Sequence, residues 1–189
     1  MKNISVIGLG SMGFGIAQSL IRSGYNVYGQ DKNTVQQKKL IEEGGLDAEI
    51  PFGDLDAVII VVLNEAQTRD IIFGEEGIAE KLKKHTLVIV CTTVSPNFAK
   101  EMATACENKE LLYLDAPISG GSIKSSQGKL SYMVSGSKNA LIAAKPILDS
   151  TSETVFEFGE VVGSGSAMKA VNQMLAGVHI AAMAEAITF

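Results

Sequence analysis

Two groups of residues in this chain have types and spacings that could do chemistry. The first is Gly8-Leu9-Gly10-Ser11-Met12-Gly13, which follows an apolar burst and opens a helical pattern. A lone acid, Asp31, closes the next apolar stretch. Glycines at these positions suit a dinucleotide. Gly8 permits a tight turn, Gly10 lets a pyrophosphate approach the backbone, and Gly13 lets the helix pack on its sheet. The amino end of that helix, with Leu9, Ser11 and Met12 around it, offers free N–H groups and a partial positive charge to phosphates. Asp31 can accept both hydroxyls of an adenosine ribose, and its charge opposes a 2′-phosphate, which favours NAD over NADP. Lys32 softens that preference and keeps NADP possible.

The second group lies near the other end. Lys169, Asn172, Ala176 and His179 share one quadrant at helical spacing, among mostly apolar neighbours. A polar stripe on a buried helix is costly unless it faces a wet cavity or hydrogen-bonding partners. A lysine there should hold its proton loosely, which suits proton exchange near neutrality. His179 reads either as a substrate contact or as a hydrogen-bonded core residue.

Composition removes other functions. The net charge is −5 and no basic run occurs, so nucleic acid is not an expected partner. Cys91 and Cys106 lie far apart with no CxxC pair and no flanking histidine. That gives no zinc spacing, implies no metal, and fits a reducing, cytoplasmic compartment. No signal peptide is expected ahead of the first strand. The apolar stretch 173–189 is short for a membrane span and carries His179 and Glu185, so a buried, domain-crossing helix is expected there.

The elements that must position these residues alternate strand and helix. Strands are expected at 3–8, 25–30, 57–63, 86–91, 111–114, 130–134 and 154–158. Helices are expected at 11–22, 34–43, 66–72, 77–83, 97–106, 138–148 and from 166 to the end, with a Gly/Ser-rich loop up to Gly128. The run AVIIVVL at 57–63 does not alternate, as in a parallel strand buried on both faces. This order selects an α/β fold with a doubly wound parallel sheet, whose ligands sit beyond the carboxyl ends of the strands.

Three later stretches, LDAPISGG at 114–121, GKL at 128–130 and GSGSAMKAVNQ at 163–173, follow the glycine loop in order. Together they resemble the β-hydroxyacid dehydrogenase family over the whole chain; 3-hydroxyisobutyrate dehydrogenase and tartronate semialdehyde reductase are familiar members. VVLNEAQTRDIIFGEEGIAEKL at 61–82 and QMLAGVHIAAMAEA at 173–186 look like the branch that oxidises L-threonate. The resemblance implies hydride transfer from a short hydroxy acid to NAD. It makes Lys169 the catalytic acid/base, gives the substrate carboxylate to Ser119, Gly120 and Gly121, and has Asn172 orient the substrate. Leu63, Asn64 and Thr93 would lie along the cofactor. Lys124 reads either as a contact to a polyhydroxy acid or as an exposed loop lysine. Asn64 stands where many members have proline, and Gln173 where many have a second asparagine.

The resemblance also implies two units: an NAD-binding Rossmann domain at 1–163, and at 164–189 a connecting helix that begins an all-helical substrate domain absent from this chain. Association of copies through the apolar helix would follow, giving a homo-oligomer. A non-catalytic dinucleotide-binding module is the alternative of another class. The joint presence of Lys169, Asn172 and Ser-Gly-Gly argues against it, because a scaffold needs none of them.

Overall fold

The computed structural model describes residues 2–189. Five strands pair in parallel in the order β2-β1-β3-β4-β5: β1 (Asn3–Ile7), β2 (Asn26–Gln30), β3 (Ala57–Ile60), β4 (Leu87–Val90) and β5 (Leu112–Asp115). Helices α1 (Gly13–Arg22), α2 (Thr34–Glu42), α3 (Glu65–Phe73) and α4 (Pro96–Glu107) connect them. Alternate residues of the central strands enter two cores. Ile59 and Ile89 join Ile16 and Leu20 of α1, whereas Val58, Ile60, Val88 and Val90 join Ile72 of α3 and Phe98 and Met102 of α4. Burial on both faces is why these strands read as unbroken apolar runs.

The second half extends the sheet antiparallel: β6 (Ile118–Ser119), α5 (Gly121–Ser126), β7 (Leu130–Gly136), α6 (Lys138–Thr151) and β8 (Ser152–Glu157). The antiparallel pairs Leu114–Gly136, Asp115–Ser135, Ile118–Tyr132 and Ser119–Ser131 keep one register. Strand β6 therefore prolongs β5 along one edge of β7, and β8 pairs in parallel on the other. Helix α7 (Ser164–Thr188) closes the chain.

Four details depart from expectation. Strand β3 stops at Ile60, not 63, because its bonds leave the ladder: Val62 N–H donates to Thr92 Oγ1 and Leu63 N–H to Gln67 Oε1. Residues 77–83 form turns and no helix, since Ile78 and Ala79 N–H bond back to the Ile71 and Ile72 carbonyls of α3. The loop before Gly128 contains β6 and α5. Only Gly165, Ser166 and Lys169 of α7 are buried, so the expected buried helix is a bare one after its first two turns. It is long and apolar enough to cross a membrane by length and composition, with a mean hydropathy of 1.2 over its most apolar window.

Helix α5 is bolted to α1 at a glycine. A Cβ on Gly15 would sit 2.5 Å from Ser126 N and 2.6 Å from the Ser125 carbonyl carbon. Gly15→Ala ought to gain helix propensity, yet here overpacking should dominate and cost roughly 1–3 kcal/mol. A thermal melt should show a lowered Tm; an unchanged or raised Tm would mean α5 does not seat on α1 this closely.

Candidate active site

Parallel strands end on one edge, so the residues that follow β1 to β5 are gathered there without further design. The segments are the glycine loop at 8–13, Asp31, residues 61–64, residues 91–95, and residues 116–121. Short contacts join them in turn. Gly8 N–H donates to the Gln30 carbonyl at 2.8 Å, and Val62 N–H donates to Thr92 Oγ1 at 3.3 Å. Ser95 N–H donates to Glu65 Oε1 at 2.7 Å.

The three loop glycines answer to different constraints. Gly8 adopts φ +94° and a Cβ there would meet the Val61 carbonyl oxygen at 2.2 Å. A Cβ on Gly13 would lie 1.8 Å from the Gly8 carbonyl oxygen. Both are required by the fold. Around a Cβ on Gly10 there is nothing within 4 Å, so the protein itself makes no demand for glycine. A ligand pressed against the backbone does, and a pyrophosphate fits that cradle.

Asp31 has a second task that its spacing did not disclose. Its Oδ2 accepts from Leu9 N–H at 2.6 Å and its Oδ1 from Asn33 N–H at 2.7 Å. The carboxylate thus props the glycine loop while each oxygen keeps a further lone pair for a ribose hydroxyl. Leu63 is 85 % exposed at the rim. Asn64 caps α3, its Oδ1 accepting from Gln67 N–H at 2.9 Å. The Asn64 side chain is thus engaged in starting a helix. Thr93 is exposed beside the buried Thr92.

Ser119, Gly120 and Gly121 overhang the same edge. Ser119 lies four residues beyond Asp115 in extended chain, roughly 13 Å at the usual rise. Gly120 and Gly121 adopt φ +138° and +76°, which a side chain would disfavour, and they open α5. That helix is tied to the glycine loop: Ser125 Oγ donates to the Met12 carbonyl at 2.5 Å. The Ser-Gly-Gly segment with its helix and the glycine loop are therefore one mechanical unit. Lys124, exposed on α5, pairs with Glu153 at 3.3 Å. A cleft of about 400 Å³ opens on the outer side of the loop, between Ser11, Phe14, Lys39 and Ile123. Lys169 is not part of its wall.

Helix α7 packs on β7, β5 and α4, its amino end bonded to Asp115 at the end of β5, and Lys169 follows one turn on. Lys169 is 6 % exposed, and burial alone holds its ammonium below the ordinary lysine pKa. Asn172, half-buried, follows on the same face. His179 is exposed and lies ten residues past Lys169, about 15 Å along the axis, so the structure does not bring it to the others. The thiols of Cys91 and Cys106 are buried and pushed up, the latter to about 12, which leaves them inert.

One buried residue at this edge went unread: Asp115, fully buried, whose carboxylate receives hydrogen bonds from Ser135 and from the start of α7. The signal was present in LYLD, an acid ending an apolar strand, which is costly unless donors meet it.

Known proteins agree with this geometry. Residues 3–159 match the family of the NAD binding domain of 6-phosphogluconate dehydrogenase. L-threonate dehydrogenase of Haemophilus influenzae is 45% identical over 98% of this chain and 63% of its own length. That of Pectobacterium atrosepticum is 44% identical over 97% of this chain and 62% of its own. The crystal structure of a 3-hydroxyisobutyrate dehydrogenase from Salmonella typhimurium superposes with a TM-score of 0.93 at 40% identity, covering 98% of this chain and 66% of that one. The chain thus spans somewhat under two thirds of the length of these relatives. It belongs to the β-hydroxyacid dehydrogenase family, through the NAD-binding domain that this family shares with 6-phosphogluconate dehydrogenase.

Proposed function

We propose that the protein oxidises a short-chain hydroxy acid with NAD, and that the acid is L-threonate, reacting at its C2 hydroxyl. One observation carries this reading: an amine, Lys169, is buried one turn past the point where α7 meets the end of β5, with no acidic partner among the described residues. A neutral lysine so placed takes the hydroxyl proton from the substrate. Backbone N–H groups around Ser119, Gly120 and Gly121 hold the carboxylate, and Asn172 orients the alcohol. NAD, when bound, supplies the acceptor for the hydride that leaves the carbinol carbon. Asp31 and Gly10 hold the adenosine and pyrophosphate parts. His179 is assigned no step. The unpaired thiols of Cys91 and Cys106 support a cytoplasmic setting.

The choice of L-threonate draws on the relatives of that name; 3-hydroxyisobutyrate and tartronate semialdehyde are the competitors. A screen of three- and four-carbon hydroxy acids for NAD reduction, run on a full-length version that includes the helical domain, separates them, and no reduction with any would favour the non-catalytic module. The exposed side chains Met174, Leu175, Val178, Ile180, Met183 and Ile187 support a covering of α7, by a helical domain as the resemblance implies or by a second copy.

Lys169→Met should abolish turnover while leaving NADH binding intact, and it should also raise Tm. Folding lowers this lysine's pKa, so the unfolded chain binds more protons between the lowered value and the ordinary one. Stability of the unaltered protein therefore rises with pH across that interval and is reduced below it, whereas the variant lacks the slope. Oxidation should climb with pH through a pKa below that of ordinary lysine. Melts across pH and a kcat/KM profile check both; a lower Tm in the variant at neutral pH would contradict the uncompensated burial.

Asp31→Ser combined with Lys32→Arg should move preference toward NADP, at lower total affinity because Leu9 N–H loses its acceptor. Calorimetry in which the unaltered chain already binds NADP more tightly than NAD would remove the argument from Asp31.

The 189-residue chain should associate through residues 174–189, since burying each large apolar side chain is worth about 1.5–3 kcal/mol. Light scattering should show oligomers that Leu175→Glu with Val178→Glu disperses. Monomers in the unaltered chain would refute this.

A further inference from the structure

The long helix α7 has no cap of its own. Its N-cap residue, Gly163, has no side chain and sits at φ +94°. The free N–H groups of its first turn must still find acceptors where they are buried. They find them on the sheet. Asp115 Oδ2 accepts from Gly163 N–H at 3.1 Å and from Ser166 N–H at 2.9 Å. Asp115 Oδ1 accepts from Ser166 Oγ at 2.6 Å. Ser135 Oγ accepts from Gly165 N–H at 3.1 Å and donates onward to Asp115 Oδ2 at 3.0 Å. One carboxylate, wholly buried at the end of β5, thus collects the amino end of a 25-residue helix.

This cap also fixes the helix in rotation. The approach is close enough that a Cβ on Gly165 would meet the Met133 carbonyl oxygen at 2.3 Å, and one on Gly163 the Pro96 carbonyl oxygen at 2.7 Å. Lys169 stands three residues after Ser166 and four after Gly165, so it lies on the capped face, one turn on. These three are the buried residues of α7, and beyond them every residue but the half-buried Asn172 is exposed. A slip by one residue would turn Lys169 by about 100° and carry it off the edge.

We infer that Asp115 is a positioning residue: by capping α7 from strand β5 it sets the rotation and height of that helix, and so where the Lys169 amine sits. The inference rests on Lys169 being the proton carrier proposed above. Asp115 touches neither substrate nor cofactor in this role. Its action is geometric, because desolvation alone accounts for the altered proton affinity of Lys169.

The test uses two variants. Asp115→Ala removes every acceptor. Asp115→Asn keeps the shape: its Oδ1 can accept from the two N–H groups, and its Nδ2 can donate to Ser166 Oγ, which reverses its role. Reductive methylation with formaldehyde and borohydride, read at Lys169 by peptide mass spectrometry, reports how the amine is held without any turnover. Asp115→Ala should speed labelling of Lys169 by about tenfold relative to surface lysines while NADH binding is retained, and Asp115→Asn should remain close to the unaltered protein. In turnover, Asp115→Ala should lower kcat by about 10²-fold with little change in the KM for NAD, and Asp115→Asn should recover most of that loss. Protection of Lys169 in folded Asp115→Ala, or an Asn variant as impaired as the Ala variant, would overturn the inference. If Asp115→Ala does not fold, Ser135→Ala removes only the relay to Gly165 and should still speed labelling about threefold; unchanged labelling would overturn the inference equally. Absence of turnover in the unaltered protein would overturn the dehydrogenase reading alone, since labelling needs no reaction.

Discussion

Parallel pairing forces every connection in β1 to β5 to return to the same end of the sheet, and the chemistry of this chain depends on that constraint. The carboxyl ends of adjacent strands deliver short loops side by side, each free to carry a ligand contact because the strands below are held on both faces by apolar cores. The glycine loop, Asp31, Asn64 and Thr93 occupy neighbouring places on that edge although up to 85 residues separate them in sequence. The antiparallel turn to β7 adds a second use of the edge. It lets β6 run on past β5 and carry Ser-Gly-Gly outward, and it leaves Ser135 beside Asp115, where α7 begins.

Two helices reach this edge by contrasting means. Helix α1 seats its glycines against backbone: Gly13 on the Gly8 carbonyl and Gly15 on the backbone of α5. Close packing holds it, and the tie from Ser125 to Met12 joins the Ser-Gly-Gly segment to the glycine loop. Helix α7 is exposed along most of its length and depends on a polar cap buried under its first turn. The first arrangement is stabilised by exclusion of water from apolar surface; the second works because a buried carboxylate is costly until donors reach it. Burial makes the cap directional. Few other rotations of α7 would satisfy Asp115.

Much of this was legible beforehand, for identifiable reasons. Runs such as AVII and LVIV declare two-sided burial, and a glycine loop between strand and helix declares a phosphate cradle, because both signals are local. The spacing proposes a ribose role for Asp31 but does not reveal it as the prop of Leu9, since that bond spans 22 residues and involves a backbone group. The helix expected at 77–83 failed because Ile78 and Ala79 bond to α3, a tertiary choice that periodicity does not encode. Asn64 looked like a departure from the family pattern, and the structure shows its side chain capping α3. Asp115 was hidden by its position, an acid closing an apolar strand whose four donors come from residues 20 to 51 positions away.

Lys169 and Asp115 divide one electrostatic problem between them. Both are ionisable groups placed in the interior, yet their surroundings differ in kind. Asp115 is surrounded by donors that satisfy its oxygens, so it can remain buried and make the structure specific. Lys169 has no acidic partner among the described residues, and desolvation pushes it toward the neutral amine. A carboxylate paired with that amine would favour its charged form and hold the proton more firmly. The satisfied group caps the start of α7, and the unsatisfied one stands a turn further along the same helix. The uncompensated burial is confined to a single side chain on the first two turns of α7.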